Sequence, residues 1–396
     1  SAPDARAAAQ GLIRDWLRHH DRWDAVTWAP DVAGARVLAW LNYVDFATEA
    51  ADGGLRTEMA AATAAQLRHL AGASRSGNES SGTDESPFTA GAALVAGAVG
   101  LPGLDGLLDT GLERLRGAVA RDILADGGHR ARAPETALRA LTRLVAAVRA
   151  LKAGRRPVPD FLSDALAPPA SLPDWGFERL HAGTTTVVAD TGGYGGIHAG
   201  ALSFEMSAGR HRLVVNCGAH PDETTEWARV LRSSAAHSTL AVNDTDALPT
   251  DGRGPVDVGR AVRRNEREGS SLVQSAHDGY RRAFAIVHNR DLYLSGAGDD
   301  FRGKDTLVGG TGAFTLRFHL HPETGASMLE GGNAVLLKLP GGKGWRFRCS
   351  GARPALEESV YLGDPTHPRR CGQIVLRGEH RGRDTAVRWS FLREGT

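Results

Sequence analysis

The first part of the chain, up to about residue 166, carries apolar residues at the spacing of an α-helix. Alanine-rich segments show this period, and turn-like stretches containing Gly and Pro separate them. The segments are Ala7 to Leu17, Val32 to Phe46, Leu55 to Leu70, Leu107 to Leu124 and Glu135 to Leu151. Helical hairpins in series suit either an α/α toroid or a helical bundle, and the periodicity does not choose between them.

From Trp175 onward the pattern changes to short runs that are rich in β-branched and aromatic residues. Gly- and Asp-rich turns separate these runs. Because no strand–helix–strand rhythm is present, a large antiparallel β-sandwich is predicted. The predicted strands lie at Thr184 to Ala189, Arg212 to Asn216, Ser238 to Val242, Phe284 to His288, Phe314 to Leu320, Ala334 to Leu339, Gly344 to Cys349 and Thr385 to Phe391.

The two patterns together predict the domain organisation. A helical domain is expected over residues 1–166, a proline-rich linker over 167–174 and a β-sandwich domain over 175–396. Within the helical domain, Ser74 to Ser86 is polar and of low complexity, which predicts a flexible loop.

Composition limits the class of partner. The 396 residues are 41% hydrophobic and 23% charged, and 47 basic against 46 acidic residues give a net charge of +1. No overall field would attract nucleic acid, so an acidic ligand needs a local basic patch. No apolar run reaches the roughly 18 residues of a membrane span. The odd count of three cysteines implies no disulfide framework. No signal peptide is visible, and the chain opens directly on a helix pattern, which favours a start inside a longer protein.

Three polar residues lie beside strand-like runs and are candidates for a metal site. His198, Asn216 and His237 are separated by about 20 residues each, and short strands joined by turns can bring such positions together on one sheet. Two imidazoles and an oxygen donor suit a divalent ion such as zinc. The alternative is that they are separate, structurally satisfied residues of the sandwich.

The same stretch resembles the β-domain of the heparinase II/III-like polysaccharide lyases. That family carries a His-x-His-x-Asp-x-x-Ser-Phe-like segment, then Asp-x-Gly, then Ala-His-Asn-Thr. The corresponding residues are His198 to Phe204, Asn216-Cys-Gly218 and Ala236-His237-Ser-Thr239. Further matching segments, in the same order, cover nearly the whole chain: Asp126 to His129, His277 to Tyr280, Phe318 to Pro322 and Leu356 to Leu362.

The resemblance implies an incomplete α/α toroid, a β-sandwich and a cleft between them in which a uronic acid polymer is cleaved by β-elimination. It also implies a metal site at His198, Asn216 and His237, with zinc or calcium as the ion. Asn216 replaces the family's aspartate, and the first histidine of its His-x-His falls on Gly196. The family's catalytic tyrosine has no counterpart in Ala133 to Ala137.

Lyase chemistry needs a group that neutralises the uronate carboxylate, a base and an acid. His129 lies in a Gly-Gly-His turn before a helix and is the first candidate. His277 and Tyr280 offer an imidazole and a phenol in one turn, although a structural hairpin fits equally well. Candidate substrate-binding residues are Arg130, Arg132 and Arg232.

The resemblance implies a polysaccharide lyase acting on a uronic acid-containing polymer of the glycosaminoglycan or alginate type. The alternative is a binding protein of the same fold that holds the polysaccharide without cleaving it. The expected partner is an anionic polysaccharide, and the family favours the periplasm or cell envelope. No organic cofactor is expected, because Gly192 to Gly196 is followed by neither a helix nor a phosphate-binding Lys-Ser/Thr pair.

Overall fold

The computed structural model describes residues 2–49, 53–72, 86–131, 134–167, 171–172, 176–192, 198–220, 222, 224–250, 260–329, 331–342, 344–363 and 367–395. Two compact units divide the chain, Ser1–Pro168 and Pro169–Thr396. Within the predicted linker, Ser171–Leu172 form a short strand. The predicted loop from Ser74 lies outside the described residues, except that Ser86 begins a helix.

The first unit is helical. Its helices in the described ranges are α1 (Ala2–His19), α2 (Pro30–Thr48), α3 (Gly53–Gly72), α4 (Ser86–Gly100), α5 (Leu107–Asp122), α6 (Pro134–Ala153) and α7 (Asp160–Ala165). Helices α1, α2, α3 and α6 contain the predicted segments, and α5 ends at Asp122, two residues before the predicted end at Leu124. Both α2 and α6 begin at a proline, whose fixed φ and missing N–H suit the first helical position. No helix in the described ranges is long and apolar enough to cross a membrane.

Helix α4 forms the centre of this unit, and the sequence patterns did not predict it. It packs against α2, α3, α5 and α6, and it is buried on nearly every side. Gly91 allows the close approach of α5, because a Cβ at that position would lie 2.8 Å from Cγ of Leu115. A helix that is apolar all round has no amphipathic period, which explains why the pattern missed it.

The second unit contains two antiparallel sheets. The first has the order β1-β2-β3-β4-β5-β11-β16-β15, with β6 also paired to β11, and the second has the order β12-β13-β14-β17-β10-β9-β8-β7. The strands of the first are β1 (Ser171–Leu172), β2 (Phe177–Ala182), β3 (Thr185–Asp190), β4 (Phe204–Ala208), β5 (His211–Val215), β6 (Leu240–Val242), β11 (Thr311–Leu320), β15 (Pro354–Tyr361) and β16 (Arg369–Arg381). Those of the second are β7 (Arg260–Arg267), β8 (Ser270–His277), β9 (Val287–Leu294), β10 (Asp300–Val308), β12 (Gly325–Met328), β13 (Ala334–Lys338), β14 (Gly344–Ser350) and β17 (Thr385–Arg393).

Aromatic rings from both sheets fill the space between them. The ring centre of Phe204 on β4 lies 5.2 Å from that of Phe301 on β10. Phe318 on β11 lies 4.9 Å from Trp389 on β17. Every second residue of β9 is buried, which is the alternation expected of a strand with one face on a core. The helical region followed by an antiparallel β-sandwich confirms the predicted fold class.

Two short helices interrupt the strands. Helix α8 (Glu226–Arg232) follows β5, and the Thr225 side chain caps it by accepting from the Ala228 N–H at 3.1 Å. Helix α9 (Arg281–Phe284) is followed by Ala285, whose φ of 58° is left-handed and ends the helix. The strand predicted from Phe284 therefore begins only at Val287.

Candidate functional site

The structure brings two of the predicted metal ligands into contact. The rings of His198 and His237 meet edge to face, with their centres 5.3 Å apart. Asn216 follows β5, and its side-chain oxygen accepts from the Ser238 N–H at 2.8 Å. His237 in turn precedes β6. Both strands pair with β11, which brings Asn216 and His237 together.

The hydrogen bonds of the two histidines are compatible with metal ligation. His237 Nδ1 lies 2.7 Å from the Ser233 carbonyl oxygen, and His198 is hydrogen-bonded to the Leu231 backbone. One nitrogen of each ring is thus hydrogen-bonded to the backbone, as is common for histidines that bind a metal. Burial lowers the pKa of His198 and lowers that of His237 to about 3, so both are neutral at pH 7, as a ligand must be.

Asn216 fits the metal less well, because its oxygen carries no charge and already accepts a backbone hydrogen bond. Among the described residues, no group of three or more His, Cys, Asp and Glu side chains could hold a metal ion. The residues would supply a weak site of neutral donors. The zinc or calcium ion therefore stays a prediction, and metal analysis of the purified protein tests it.

Helix α8 borders the two histidines. Its last residue, Arg232, is half-buried, and the Arg232 carbonyl accepts from the Ala199 N–H at 2.7 Å. The positive charge of Arg232 contributes to lowering the pKa of His198. On the outward side of the helix, Trp227 remains 45% exposed. Arg232 thus lies near His198, and the exposed indole of Trp227 belongs to the same short helix as Arg232.

His129 lies in the predicted turn of the helical unit but is not accessible there. Its side chain is 3% exposed, and its Nδ1 accepts from the Ala131 N–H at 3.1 Å. The Leu124 N–H donates to the Gly128 carbonyl at 2.7 Å, which closes the turn. Burial lowers the pKa of His129. Arg130 is exposed and donates to the Arg121 carbonyl, whereas Arg132 lies outside the described residues.

The structure places His277 and Tyr280, the candidate acid and base, in the sandwich core, as the structural alternative expects. Tyr280 is 1% exposed and its hydroxyl donates to the Leu240 carbonyl at 3.0 Å. His277 is 4% exposed; it accepts from the Gly279 N–H and has its Nε2 3.1 Å from His288 Nδ1. Burial raises the pKa of Tyr280 and lowers that of His277. Neither side chain can reach a polymer in this conformation.

A family profile decides the classification. The profile described as "Heparinase II/III-like, C-terminal" matches residues 164–390, which is more than half of the chain. The protein belongs to the heparinase II/III-like family. The family suggested by the motif order is thereby confirmed.

Two solved structures have a similar fold to this heparinase II/III-like protein at low sequence identity, and a third protein is similar in sequence. A solved heparinase III has a TM-score of 0.63 and 12% identity, over 97% of this chain and 72% of that chain. The heparan sulfate lyase HepC from Pedobacter heparinus has a TM-score of 0.57 and 12% identity, again over 97% and 72%. The FtsZ-localized protein C of Caulobacter vibrioides is 29% identical over 99% of this chain and 79% of its own length.

A carboxyl group that the sequence did not predict lies beside Asn216 in this heparinase II/III-like protein. Glu205 Oε1 accepts from the Asn216 N–H at 3.1 Å. Burial raises the pKa of Glu205, against the opposing effects of that hydrogen bond and of the charge on Arg212. The alternation of β4 could have revealed Glu205, because it lies on the face opposite the buried Phe204 and Met206.

Proposed function

We propose that this protein recognises an anionic, uronic acid-containing polysaccharide and holds it without cleaving it. The observation that carries the proposal is the burial of His129, His277 and Tyr280. Each is hydrogen-bonded inside its own unit, so none is available for proton transfer to a polymer. The family scaffold is retained, and the three side chains named as candidate acid–base groups are buried.

The surface beside α8 supports the binding part of the proposal. Arg232 can pair with a uronate carboxylate through two parallel hydrogen bonds, which is the geometry a guanidinium favours. Trp227 offers an exposed ring face of the kind that covers apolar ligand surface. His198 is half-buried and neutral at pH 7, and it can supply a hydrogen bond without adding charge.

The second candidate is β-elimination, and His198 is the observation that favours it. It lies at a motif position that resembles the family's, and its lowered pKa keeps the imidazole free to accept a proton. Unlike the three buried candidates, His198 is only half-buried. In this mechanism His198 removes the C5 proton while Arg232 neutralises the carboxylate. The C4–C5 double bond forms as the C4–O bond breaks, and the leaving oxygen takes its proton from the imidazolium of His198 or from water.

One experiment separates the two functions. The whole chain is titrated calorimetrically with a panel of uronate oligosaccharides, and the absorbance of the unsaturated elimination product is followed in parallel. We expect binding without product. Arg232→Ala is expected to weaken binding about tenfold or more, as the loss of a charged hydrogen bond of about 1.5–3 kcal/mol predicts.

Arg229→Ala is the matched control, because Arg229 is exposed on the same helix and pairs with Glu226 at 3.4 Å. It should bind as the parent does. Product formation by the parent, abolished in His198→Ala, would establish the lyase instead. Absence of binding to every uronate polymer would reject both functions.

The curated relative suggests where the protein acts. That relative is named for localisation with FtsZ, and it aligns with almost the whole of this chain. We propose that the present protein shares this localisation. Fluorescent fusions of the protein and of FtsZ, imaged together in cells that naturally express both, are expected to coincide. An even distribution of the fusion would contradict this.

A further inference from the structure

The outward face of the second sheet carries a groove that is separate from the surface beside α8. It encloses about 510 Å³ between β9, β10, β14 and β17. The charged and hydroxyl side chains that line it are Asp291, Tyr293, Arg302, Lys304, Arg348, Ser350, Arg388 and Ser390. These strands lie within the sheet, so each has a paired strand on both sides.

The strand register arranges the basic side chains in two neighbouring rows. In one row, Ser390 is opposite both Arg302 and Arg348. In the other row, Arg388 is directly opposite Lys304. Adjacent strands are about 4.8 Å apart, so cations recur across the sheet at steps of about 5 to 10 Å. The groove therefore presents four positive charges in two rows, and Asp291 continues the second row beyond Lys304.

Two carboxylates lie next to these cations, and one of them, Asp291 on β9, is directly opposite Lys304. Arg302 pairs with Asp300, and Asp291 accepts from the Gln274 amide at 3.4 Å. Within the described ranges, Lys304, Arg348 and Arg388 form no ion pair. Like charges directly opposite each other on a sheet repel, as Lys304 and Arg388 do, and Asp291 on the other side of Lys304 offsets part of that repulsion. A bound polyanion would remove that repulsion.

We infer that this groove binds a linear anionic glycan at a second site, distinct from Arg232. An acidic peptide fits less well, because no strand edge is free in the groove for β-strand addition. Side-chain anchoring of a peptide would need apolar pockets, whereas the lining is mostly charged and hydroxylated. Repeated charges combined with hydroxyls on the ligand match the rows of cations, the two serines and Tyr293.

The groove would bind the same class of ligand as the proposed function assigns to Arg232. The experiment therefore distinguishes binding at the groove from binding at Arg232. The full chain is titrated at low salt with a polygalacturonate oligosaccharide and, separately, with a polyglutamate peptide of equal charge. The test variant is Lys304→Gln with Arg388→Gln. The control is Arg381→Gln with Arg383→Gln, two exposed arginines at the turn between β16 and β17. Thermal unfolding of each variant checks the fold.

We expect the Lys304/Arg388 variant to bind the glycan about tenfold or more weakly, with a smaller salt dependence, and to unfold at a temperature close to that of the parent, because the loss of the Lys304–Arg388 repulsion is offset by the loss of the Asp291–Lys304 attraction. The control should match the parent. Loss of binding in this variant but not in Arg232→Ala would support the groove and reject the site beside α8. Parental glycan binding by the Lys304/Arg388 variant would overturn the inference. Tighter binding of polyglutamate than of the glycan would overturn it in favour of an acidic protein partner.

Discussion

Replacing Asp305 by alanine is expected to lower the free energy of unfolding of the β-sandwich by about 3–5 kcal/mol, because the change leaves a buried charge without its partner. Asp305 is 1% exposed, and its Oδ1 lies 2.8 Å from Nε of Arg290 and 2.7 Å from Nε2 of His288. Its Oδ2 accepts from the Trp389 ring N–H at 2.7 Å. Alanine would remove every one of these acceptors.

The same network supports the candidate site. Nη1 of Arg290 donates to the Leu202 carbonyl at 2.6 Å and to the Ser238 carbonyl at 2.9 Å. Ser238 follows His237 and also binds Asn216, so Arg290 holds the backbone on which the site is built. We therefore expect the Asp305→Ala protein to lose order around His237 as well as global stability.

Urea unfolding of the whole chain at pH 7 measures the first effect. Asp384→Ala is the matched control, since Asp384 is exposed and its removal should change stability by no more than about 0.5 kcal/mol. Asp305→Asn, which keeps an acceptor but not the charge, should fall between the two. A loss below about 1 kcal/mol for Asp305→Ala would show that the buried charges are compensated in another way.

The difference in free energy of unfolding between the parent and Asp305→Ala should depend on pH. Burial acts to raise the pKa of Asp305, but the charge of Arg290 and the hydrogen bonds outweigh it and hold that pKa below its ordinary value. The stabilisation is therefore present above the unfolded pKa of about 3.9 and is lost as the pH falls through the folded pKa. The gap between parent and Asp305→Ala should narrow below about pH 4.

Phe318→Ala is the second change expected to have a large effect, with a loss of about 3–5 kcal/mol. Phe318 is fully buried, and its ring centre lies 5.2 Å from Phe347, 4.9 Å from Trp389 and 5.7 Å from Phe391. These three residues belong to the opposite sheet. Alanine would leave a cavity where the two sheets meet, and rigid aromatic neighbours can fill it only partly.

Urea unfolding again provides the measurement, with Phe318→Leu as a graded control. Leucine retains part of the volume, so its loss should be less than half that of alanine. Equal losses for the two variants would indicate that ring contacts, rather than volume, hold the sheets together. A near-neutral Phe318→Ala would contradict packing of the sheets through this cluster.

Local chemistry explains which elements the sequence could reveal. A strand with one buried face repeats every two residues, so the central part of β11 shows its alternation in the sequence itself. Strand β9 does not, because His288 and Arg290 occupy two of its buried positions. Amphipathic helices such as α1 and α6 show a period for the same reason. Helix α4 is buried on nearly all sides by its neighbours, so its sequence carries no such contrast.

The sequence predicted only part of the candidate site. The order of His198, Asn216 and His237 along the chain indicated the family, and β11 then brings the strands beside them together from a distant part of the sequence. The sequence could not show that Tyr280 is buried, because a phenol in a Gly-containing turn can face either solvent or core. Burial depends on which strands cover the turn.

By itself, the sequence determined the helical and β-rich halves, the family and the residues of its motifs, because each depends on neighbours close along the chain. Only the tertiary structure decided the burial of His129 and Tyr280, the charge network of Asp305 and the opposition of Lys304 to Arg388. These features arise from strand register and from packing between distant segments. Both are set by the balance of burial and polar satisfaction over the whole unit, which no local pattern contains.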